Sequence, residues 1–347
     1  MPTRRVVTRD GSGRIEVREE PLGPLGEGTV LVEVKASLVS PGTELGGIKR
    51  MREKPDPSRA PEAFGYGNAG IVLEAGRRVR GLAKGMRVAC MGAGYAQHAT
   101  HAVVPQNLAV RMPDGLSFEE AAFAHLAATA LQAVRRAEVQ FGHTAAVFGL
   151  GIVGLVACQI ARGSGARVIA VDSLPPRLDL ARGTGADLAV NFRETDPVAE
   201  AGKFTRGRGV DVVIIAFGGD ADKAVEQALS MMKTSPDGHK MGVISIVGGA
   251  KFTAQFPVPF GNVDVRASSR TGPGYHDEAW EKGRDYPPVF VEWDTRRNIE
   301  LILDYIAAGR LDVESLITHR VPLEAAPAAC EDLIENPDRA LGVILLP

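Results

Sequence analysis

The sequence predicts an α/β protein in which a β-rich part is joined to a doubly wound parallel sheet. Short apolar segments separated by Gly and Pro fill residues 29–112, and strand and helix patterns alternate over residues 144–247. Within the second region, an apolar, β-branched run at 145–148 leads into a glycine-rich turn. A length of 347 residues suits two domains better than one.

The β-rich part is predicted by four segments: TVLVEVKASLVS, NAGIVLEAG, MRVACMGAG and AVVPQNLAVRM. Short runs of this kind, bounded by turn residues, are typical of strands. Around Asp114 the pattern changes, because SFEEAAFAHLAATALQAVRRA has helical periodicity. Ser117 and Glu120 have the spacing of a capping box, so we expect a long helix that begins here.

The alternating part follows this helix. AAVFGL, ARVIAVD, DVVIIAFG and MGVISIVGG have strand character, and PRLDLARGTGA and DKAVEQALSMM lie between them with helical character. This alternation predicts βαβ units on a parallel sheet. Near the end, RRNIELILDYIAAGR predicts a helix and ALGVILLP a last strand.

The most specific motif is Gly149-x-Gly151-x-x-Gly154, placed between a predicted strand and a predicted helix. Gly149 permits the tight turn, Gly151 lets a pyrophosphate approach the backbone, and Gly154 lets helix and strand pack closely. The N–H groups of Ile152 and Val153 at the helix start would attract the phosphates. The motif therefore predicts a dinucleotide-binding site.

Asp172 ends the next predicted strand, where a carboxylate can accept the ribose hydroxyls of an adenosine. The same carboxylate would repel a 2′-phosphate, so NAD is predicted in preference to NADP. Arg177, five residues further on, works against this preference because its cation could attract a phosphate.

Composition narrows the class of protein. The net charge of −2 and the mixing of acidic and basic residues give no basic surface for nucleic acid or an anionic membrane. No apolar run approaches the roughly 20 residues of a membrane span, and the N-terminus lacks the apolar core of a secretory signal. Cys90, Cys158 and Cys330 are scattered and odd in number, which argues against a disulfide framework. We expect a cytoplasmic protein whose partner is a small polar molecule.

Taken together, these segments resemble the medium-chain dehydrogenase/reductase superfamily of the alcohol dehydrogenase type. The resemblance extends essentially end to end, and its landmarks are KASLVSPGTEL, GYGNAGIVLEAG, MPDGLSFEEAA, the glycine loop and LDVESLITHRVPLEAAPAA. It implies a discontinuous GroES-like catalytic domain at 1–126 and 268–347 and a Rossmann dinucleotide-binding domain at 127–267. It also implies that Val247 and Gly248 line the nicotinamide, that Arg177 lies along the adenosine, that Arg320 approaches the pyrophosphate, and that the protein is a homodimer or homotetramer.

Members of this family with catalytic zinc have Cys in a CGxD-like motif and His in GHExxG. The matching positions here are Ser40 and Tyr66-Gly67, with His125 near a third position. Catalytic zinc needs three protein ligands, and one histidine beside a serine and a phenol does not supply them. We therefore predict no metal, with a site of His125 and Glu44 or Glu62 as the alternative.

Without zinc, a side chain must take the proton of the substrate hydroxyl. His125 is the predicted base, since the ordinary pKa of histidine lies nearest neutrality. Tyr66 could relay the proton, Ser40 and Thr43 could hold the substrate hydroxyl, and Glu44 lies near an acid that supports a zinc ligand in the family. The alternatives are structural: a buried core histidine, a packing tyrosine, and turn residues beside Pro41-Gly42.

The segment between Arg270 and Arg297 contains both tryptophans of the chain and two of its five tyrosines. Aromatic faces beside charged groups suit a polyhydroxylated ring, and Tyr275, Lys282 and Tyr286 are the candidate substrate residues. The sequence of this segment and the SPGTE motif resemble a zinc-lacking subgroup, which is similar to sugar- and cyclitol-associated and bacteriochlorophyllide-type dehydrogenases. A covering loop or an oligomer contact is the alternative.

The predicted function is a zinc-independent, NAD-dependent oxidoreductase acting on a secondary alcohol or ketone of a sugar, cyclitol or glycoside-like substrate. Two alternatives stay open. One is a zinc-free quinone or enone reductase, which Asp172 disfavours because such enzymes usually prefer NADPH. The other is a dinucleotide-binding protein with little turnover, since binding and catalysis are separable.

Overall fold

The computed structural model describes residues 2–256 and 259–347. Its strands follow in chain order: β1 (Thr3–Arg9), β2 (Ile15–Pro21), β3 (Thr29–Leu38), β4 (Glu62–Ala63), β5 (Gly67–Ala75), β6 (Arg87–Met91), β7 (His101–Pro105), β8 (Ala109–Arg111), β9 (Thr144–Phe148), β10 (Arg167–Asp172), β11 (Leu188–Asn191), β12 (Val212–Ile215), β13 (Gly219–Asp220), β14 (Met241–Val247), β15 (Ala250–Lys251), β16 (Asn262–Ser268), β17 (Ile317–Pro322) and β18 (Gly342–Leu346).

The α-helices are α1 (Gly46–Glu53), α2 (Phe118–Ala121), α3 (Ala124–Arg136), α4 (Ile152–Gly163), α5 (Pro175–Thr184), α6 (Pro197–Thr205), α7 (Asp222–Met231), α8 (Glu278–Glu281), α9 (Thr295–Ala307) and α10 (Ala326–Glu335). Short 3₁₀ turns precede β8, β17 and α10, and a π-helical turn at Pro41–Leu45 precedes α1.

The chain forms two compact units. One contains the residues up to Ala128 together with Thr271–Pro347, and the other is Thr129–Arg270. In the first unit, strands pair in the order β17-β18-β3-β5-β6-β8, with β7 also on β3, and a second sheet has the order β2-β1-β4. Most of these pairs are antiparallel, as the Gly- and Pro-punctuated pattern predicts.

The second unit contains a parallel sheet in the order β11-β10-β9-β12-β14-β16. Its central strands β9 and β12 are buried along their whole length, since helices cover both faces of such sheets. The strand order reverses between β9 and β12, and in open parallel sheets ligands bind at the carboxyl edge beside this point. The predicted α/β class, with a GroES-like and a Rossmann-like part, is confirmed.

The predicted capping box is also confirmed. Ser117 Oγ accepts the Glu120 N–H, and the Glu120 carboxylate accepts the Ser117 N–H. The single long helix expected after it is wrong, because a turn at Ala122-Phe123 separates α2 from α3. That turn buries the Phe123 ring completely.

The β1–β2 hairpin was absent from the sequence expectation, because its charged residues hide the strand pattern. Those charges pair across the strands: Arg4 binds Glu20 at 2.7 Å. Among the described residues, no helix has both the length and the apolar character needed to cross a membrane.

Candidate functional site

The glycine loop has the geometry that its sequence predicts. Gly149 has φ +88° and donates its N–H to Val171 O at 2.9 Å. A Cβ on Gly154 would lie 1.8 Å from Gly149 O, so helix α4 packs against the loop at a distance that only glycine allows. A Cβ on Gly151 would meet nothing within 4 Å, which leaves open space at the start of α4. A pyrophosphate fits such a position, where backbone N–H groups and the helix dipole favour anions.

Asp172, at the end of β10, lies beside this loop. Its carboxylate accepts the N–H groups of Leu150 (2.6 Å), Ser173 (2.7 Å) and Leu174 (3.0 Å). A carboxylate has about four acceptor positions, so capacity remains for a ribose hydroxyl. Arg177 interacts electrostatically with Asp172, and burial lowers the pKa of its guanidinium although Asp172 opposes that shift.

Val247 and Gly248 lie in the same unit, at the carboxyl end of β14. β14 pairs with β12, and β12 pairs with β9, whose carboxyl end leads into the glycine loop. These residues therefore share one edge of the sheet with the loop and with Asp172. The open face at Gly151, the helix start and the buried acid fit a nicotinamide dinucleotide.

The first unit contains the predicted catalytic residues. We call Ser40, Glu44, Tyr66, His98 and His125 the hydroxyl–imidazole cluster. The Tyr66 hydroxyl donates to Ser40 Oγ at 2.6 Å, and the Ser40 N–H donates to Glu44 Oε2 at 2.7 Å. The π-helical turn after Ser40 makes this second contact possible, because it brings Glu44 back toward the start of its own turn.

His125 joins the cluster through Tyr66, since the two rings meet edge to face with centroids 4.8 Å apart. Its Nδ1 lies 3.0 Å from Ala122 O, and a carbonyl can only accept, so Nδ1 carries the proton. A Cβ on Gly67 would lie 2.0 Å from that nitrogen, so glycine at this position leaves room for the ring. In the neutral imidazole, Nε2 is therefore the atom able to accept a proton.

The pKa of His125 differs from the sequence expectation. The prediction used the ordinary pKa of histidine, but burial lowers the pKa of His125 to about 4, although the nearby Glu44 carboxylate raises it. The ring is only 2% exposed, and desolvation disfavours its charged form. His125 is therefore neutral near pH 7, and its role as base stays a prediction.

This pKa has a consequence for stability. Because only the unfolded chain binds a proton on this histidine between pH 6.5 and about 4, stability falls as the pH falls through that range. Between pH 7 and pH 5 we expect a loss of about 2 kcal/mol from this group. Urea unfolding at both pH values checks it, since His125→Asn should lose correspondingly less. Equal losses in both proteins would contradict the assignment.

Tyr66 stays protonated. Burial raises the pKa of its hydroxyl well above the ordinary value, and the charge of Glu44 adds to the shift, whereas hydrogen bonds with Ser40 and Thr43 oppose it. Thr43 is exposed and borders the cluster, so it can contact a molecule that approaches Tyr66. The one hydroxyl proton of Tyr66 is donated to Ser40 Oγ, so the Ser40 hydroxyl is the group that can donate a hydrogen bond to a substrate oxygen.

The donor set in this unit does not match a catalytic zinc site. Ser40 and Tyr66, at positions where zinc-dependent relatives place Cys and His, hydrogen-bond each other. Over residues 2–256 and 259–347, no group of three or more His, Cys, Asp or Glu side chains has an arrangement that could hold a metal ion. Glu62, the alternative ligand, binds Arg9 and Arg59 instead.

One of the three candidate substrate residues lies close to the hydroxyl–imidazole cluster, and the other two contact residues of their own segment. Tyr275 is close enough to Tyr66 to influence its pKa, and its hydroxyl accepts the Ala93 N–H at 2.7 Å. Lys282 instead pairs with Glu278 within the same segment, at 2.5 Å. The Tyr286 hydroxyl donates to Asp277 at 2.7 Å.

The structure also places Trp280 and Arg320, two residues that the sequence analysis considered. Trp280 is 0% exposed, so its ring is not among the aromatic faces that this segment could offer to a sugar. Arg320 lies on β17 in the first unit and forms an ion pair with Glu314. Its predicted approach to a pyrophosphate stays a prediction.

Sequence reasoning missed His98, which is fully buried and lies 3.2 Å from Glu44 Oε2 through its Nε2. Nothing local in YAQHATH marks this histidine, because its partner is 54 residues away along the chain. Glu44 lies in the π-helical turn Pro41–Leu45 and His98 in the loop between β6 and β7, so only folding of the whole unit brings the two together.

Comparison with known proteins gives consistent results. A family model described as zinc-binding dehydrogenase matches residues 153–283. The D-guloside 3-dehydrogenase of Escherichia coli strain K12 is 30% identical over 345 residues, covering 94% of this chain and 91% of that protein. An alcohol dehydrogenase of Cupriavidus necator is 27% identical over 387 residues, covering 96% of each.

Solved structures give the same picture of the fold. A protein from Sinorhizobium meliloti 1021, described as a zinc-binding dehydrogenase bound to NADP, has a TM-score of 0.78 and 25% identity to this chain. The similarity covers 100% of both chains.

Proposed function

The chain belongs to the medium-chain dehydrogenase/reductase superfamily, and from that premise we propose that it is an oxidoreductase of secondary alcohols and the corresponding ketones. The substrate class is a sugar, cyclitol or glycoside-like polyol, and the reaction uses NAD and no zinc. The observation that carries this proposal is the hydroxyl–imidazole cluster, in which Tyr66 donates to Ser40 at 2.6 Å beside a neutral His125. The relative named D-guloside 3-dehydrogenase supports the substrate class.

Oxidation removes a hydride from the carbinol carbon and a proton from its hydroxyl. Gly149, Gly151, Asp172, Val247 and Gly248 would hold a nicotinamide dinucleotide, which would supply the hydride acceptor. Tyr66 and Ser40 orient the substrate oxygen, and His125 Nε2 accepts the hydroxyl proton. Because burial lowers the pKa of His125 to about 4, the imidazolium is disfavoured at neutral pH and His125 must pass the proton on before the next turnover.

Zinc independence is tested by metal removal. We expect dialysis against a strong chelator to leave kcat unchanged, because among the described residues no group of three or more His, Cys, Asp or Glu side chains could hold a metal ion. Metal analysis of the purified protein should show far less than one zinc per chain. Stoichiometric zinc, together with activity that is lost on chelation and restored by zinc, would contradict this part of the proposal.

The choice of NAD rests on the Asp172 carboxylate, whose charge would face a 2′-phosphate. Quenching of protein fluorescence should show NADH binding at least about tenfold more tightly than NADPH, a difference of about 1.4 kcal/mol. Asp172→Ser should narrow this preference, whereas Asp237→Ser, the same change in an exposed turn, should not. Tighter binding of NADPH by the wild type would overturn the assignment of NAD. The measurement is needed because a solved structure similar to this chain contains NADP.

A substrate panel distinguishes the three functional alternatives. The wild type and His125→Ala are assayed with sugars, glycosides, cyclitols, quinones and enones, with formation or consumption of reduced nicotinamide as the readout. We expect oxidation of polyols by the wild type and loss of that activity in His125→Ala. Turnover of quinones or enones alone would favour a reductase, and tight cofactor binding without turnover would favour a binding protein.

A further inference from the structure

His98 is a buried histidine that the mechanism above does not use. Its Nδ1 lies 3.0 Å from Ser37 Oγ, and its Nε2 lies 3.2 Å from Glu44 Oε2. The backbone is held on both sides, because the His98 N–H donates to Phe64 O at 3.1 Å and the His98 carbonyl accepts the Val7 N–H at 2.9 Å. The ring therefore has a fixed position, with both nitrogens engaged.

Glu44 depends on that ring for its orientation. Glu44 Oε2 accepts the Ser40 N–H and lies within reach of His98 Nε2, whereas Oε1 is buried and has no hydrogen-bond partner among the described residues. A buried oxygen without a partner is costly and does not fix a side chain. Loss of the imidazole would take one of the two hydrogen bonds that orient the Glu44 carboxyl group.

The orientation of the Glu44 carboxyl group matters because that group accepts the backbone N–H of Ser40. Glu44 Oε2 holds the Ser40 N–H at 2.7 Å, and Ser40 Oγ receives the Tyr66 hydroxyl at 2.6 Å. These contacts form a continuous path from a fixed imidazole to the phenol. His98 itself is fully buried, whereas Thr43, which borders Tyr66, is exposed.

We propose that His98 is a positioning residue for proton transfer: through Glu44 it holds Ser40 where Ser40 Oγ receives the Tyr66 hydroxyl. The inference rests on the proposed function, because it assigns His98 to the reaction that Tyr66 and His125 carry out. It predicts an effect on turnover and little effect on either binding step.

Two substitutions separate the two ring nitrogens. The amide of His98→Asn can replace Nδ1 toward Ser37 but is too short to reach Glu44, whereas the amide of His98→Gln can replace Nε2. We expect His98→Asn to lower kcat by about tenfold to 100-fold, the effect of a small displacement of a reacting group. We expect KM and NADH affinity to change by less than about twofold, because only turnover depends on the positioned hydroxyl. His98→Gln should recover most of the lost kcat.

A double-mutant cycle with Glu44→Gln tests the path through Glu44. If His98 acts through Glu44, His98→Asn should lower kcat by less than about threefold in the Glu44→Gln background. The matched control is His101→Asn on β7, whose ring nitrogen contacts the neighbouring Thr100 hydroxyl at 3.1 Å. The melting temperature shows whether each variant is folded. NADH quenching shows whether the unit that contains the glycine loop still binds the cofactor.

The results separate this inference from the proposed function. A wild type without turnover on polyols contradicts the proposed function. Normal wild-type turnover that His98→Asn leaves unchanged contradicts the role of His98 alone. Equal losses in the Asn and Gln variants with a lowered melting temperature also overturn that role, because they indicate a structural histidine. Recovery of kcat in His98→Gln, together with a smaller effect of His98→Asn in the Glu44→Gln background, supports the positioning role of His98.

Discussion

Replacing Gly154 by alanine is expected to weaken NADH binding by at least about 100-fold, a loss of about 2.7 kcal/mol. The new Cβ would lie 1.8 Å from Gly149 O, which is a backbone atom and cannot rotate away. Helix α4 would have to move from the loop, and the N–H groups of Ile152 and Val153 would move with it. Overpacking of this kind also costs about 1–3 kcal/mol of stability.

The control for this substitution is in the same helix. Gly163 ends α4, and a Cβ there would meet nothing within 4 Å, so Gly163→Ala should bind NADH like the wild type. Alanine is the better helix former, so its melting temperature should be unchanged or slightly higher. NADH affinity that survives in Gly154→Ala would show that α4 does not position the cofactor.

The contrast between this loop and the hydroxyl–imidazole cluster shows what a sequence can predict. The glycine loop is local: a strand, a turn with φ +88° at Gly149, and a helix within a few residues of one another. The strand, the turn and the helix each have a cause in particular residues, which can be read directly from the sequence. The Ser117 capping box was predictable for the same reason.

The cluster depends on contacts between loops and turns that lie far apart in the chain, which no short motif encodes. His98 and Glu44 are 54 residues apart, and Ser40 and Tyr66 are 26 apart. The pKa of His125 was equally out of reach, because it depends on burial by the assembled unit. Individual candidates could therefore be named from the sequence, whereas their contacts and charges could not.

The aromatic content of residues 271–297 did not show which of their rings are buried. Trp280 packs in the interior, where it stacks on Tyr286 with ring centroids 6.1 Å apart. Asn107 donates to Trp280 O at 2.6 Å and so fixes the segment to the strand region beside it. Composition alone does not distinguish an aromatic group that binds a sugar from one that fills a core.

The second large effect is expected from Tyr66→Phe. This change keeps the ring against His125 but removes the hydroxyl that donates to Ser40, so we expect kcat to fall by about 100-fold or more. KM and NADH affinity should change little if the hydroxyl acts in the transition state rather than in binding. Loss of the hydrogen bond should cost about 1 kcal/mol of stability.

The pH dependence of the wild type provides an independent check on this assignment. Since burial and the charge of Glu44 raise the pKa of Tyr66, the phenol stays neutral above its ordinary pKa of about 10, and kcat should show no tyrosine ionisation below that pH. Tyr95→Phe is the matched control, because Tyr95 follows β6 and its hydroxyl contacts Glu281. A Tyr66→Phe enzyme with wild-type kcat would show that the Tyr66 hydroxyl does not orient the substrate oxygen in the reaction. A rise in KM without a fall in kcat would instead assign the hydroxyl to substrate binding.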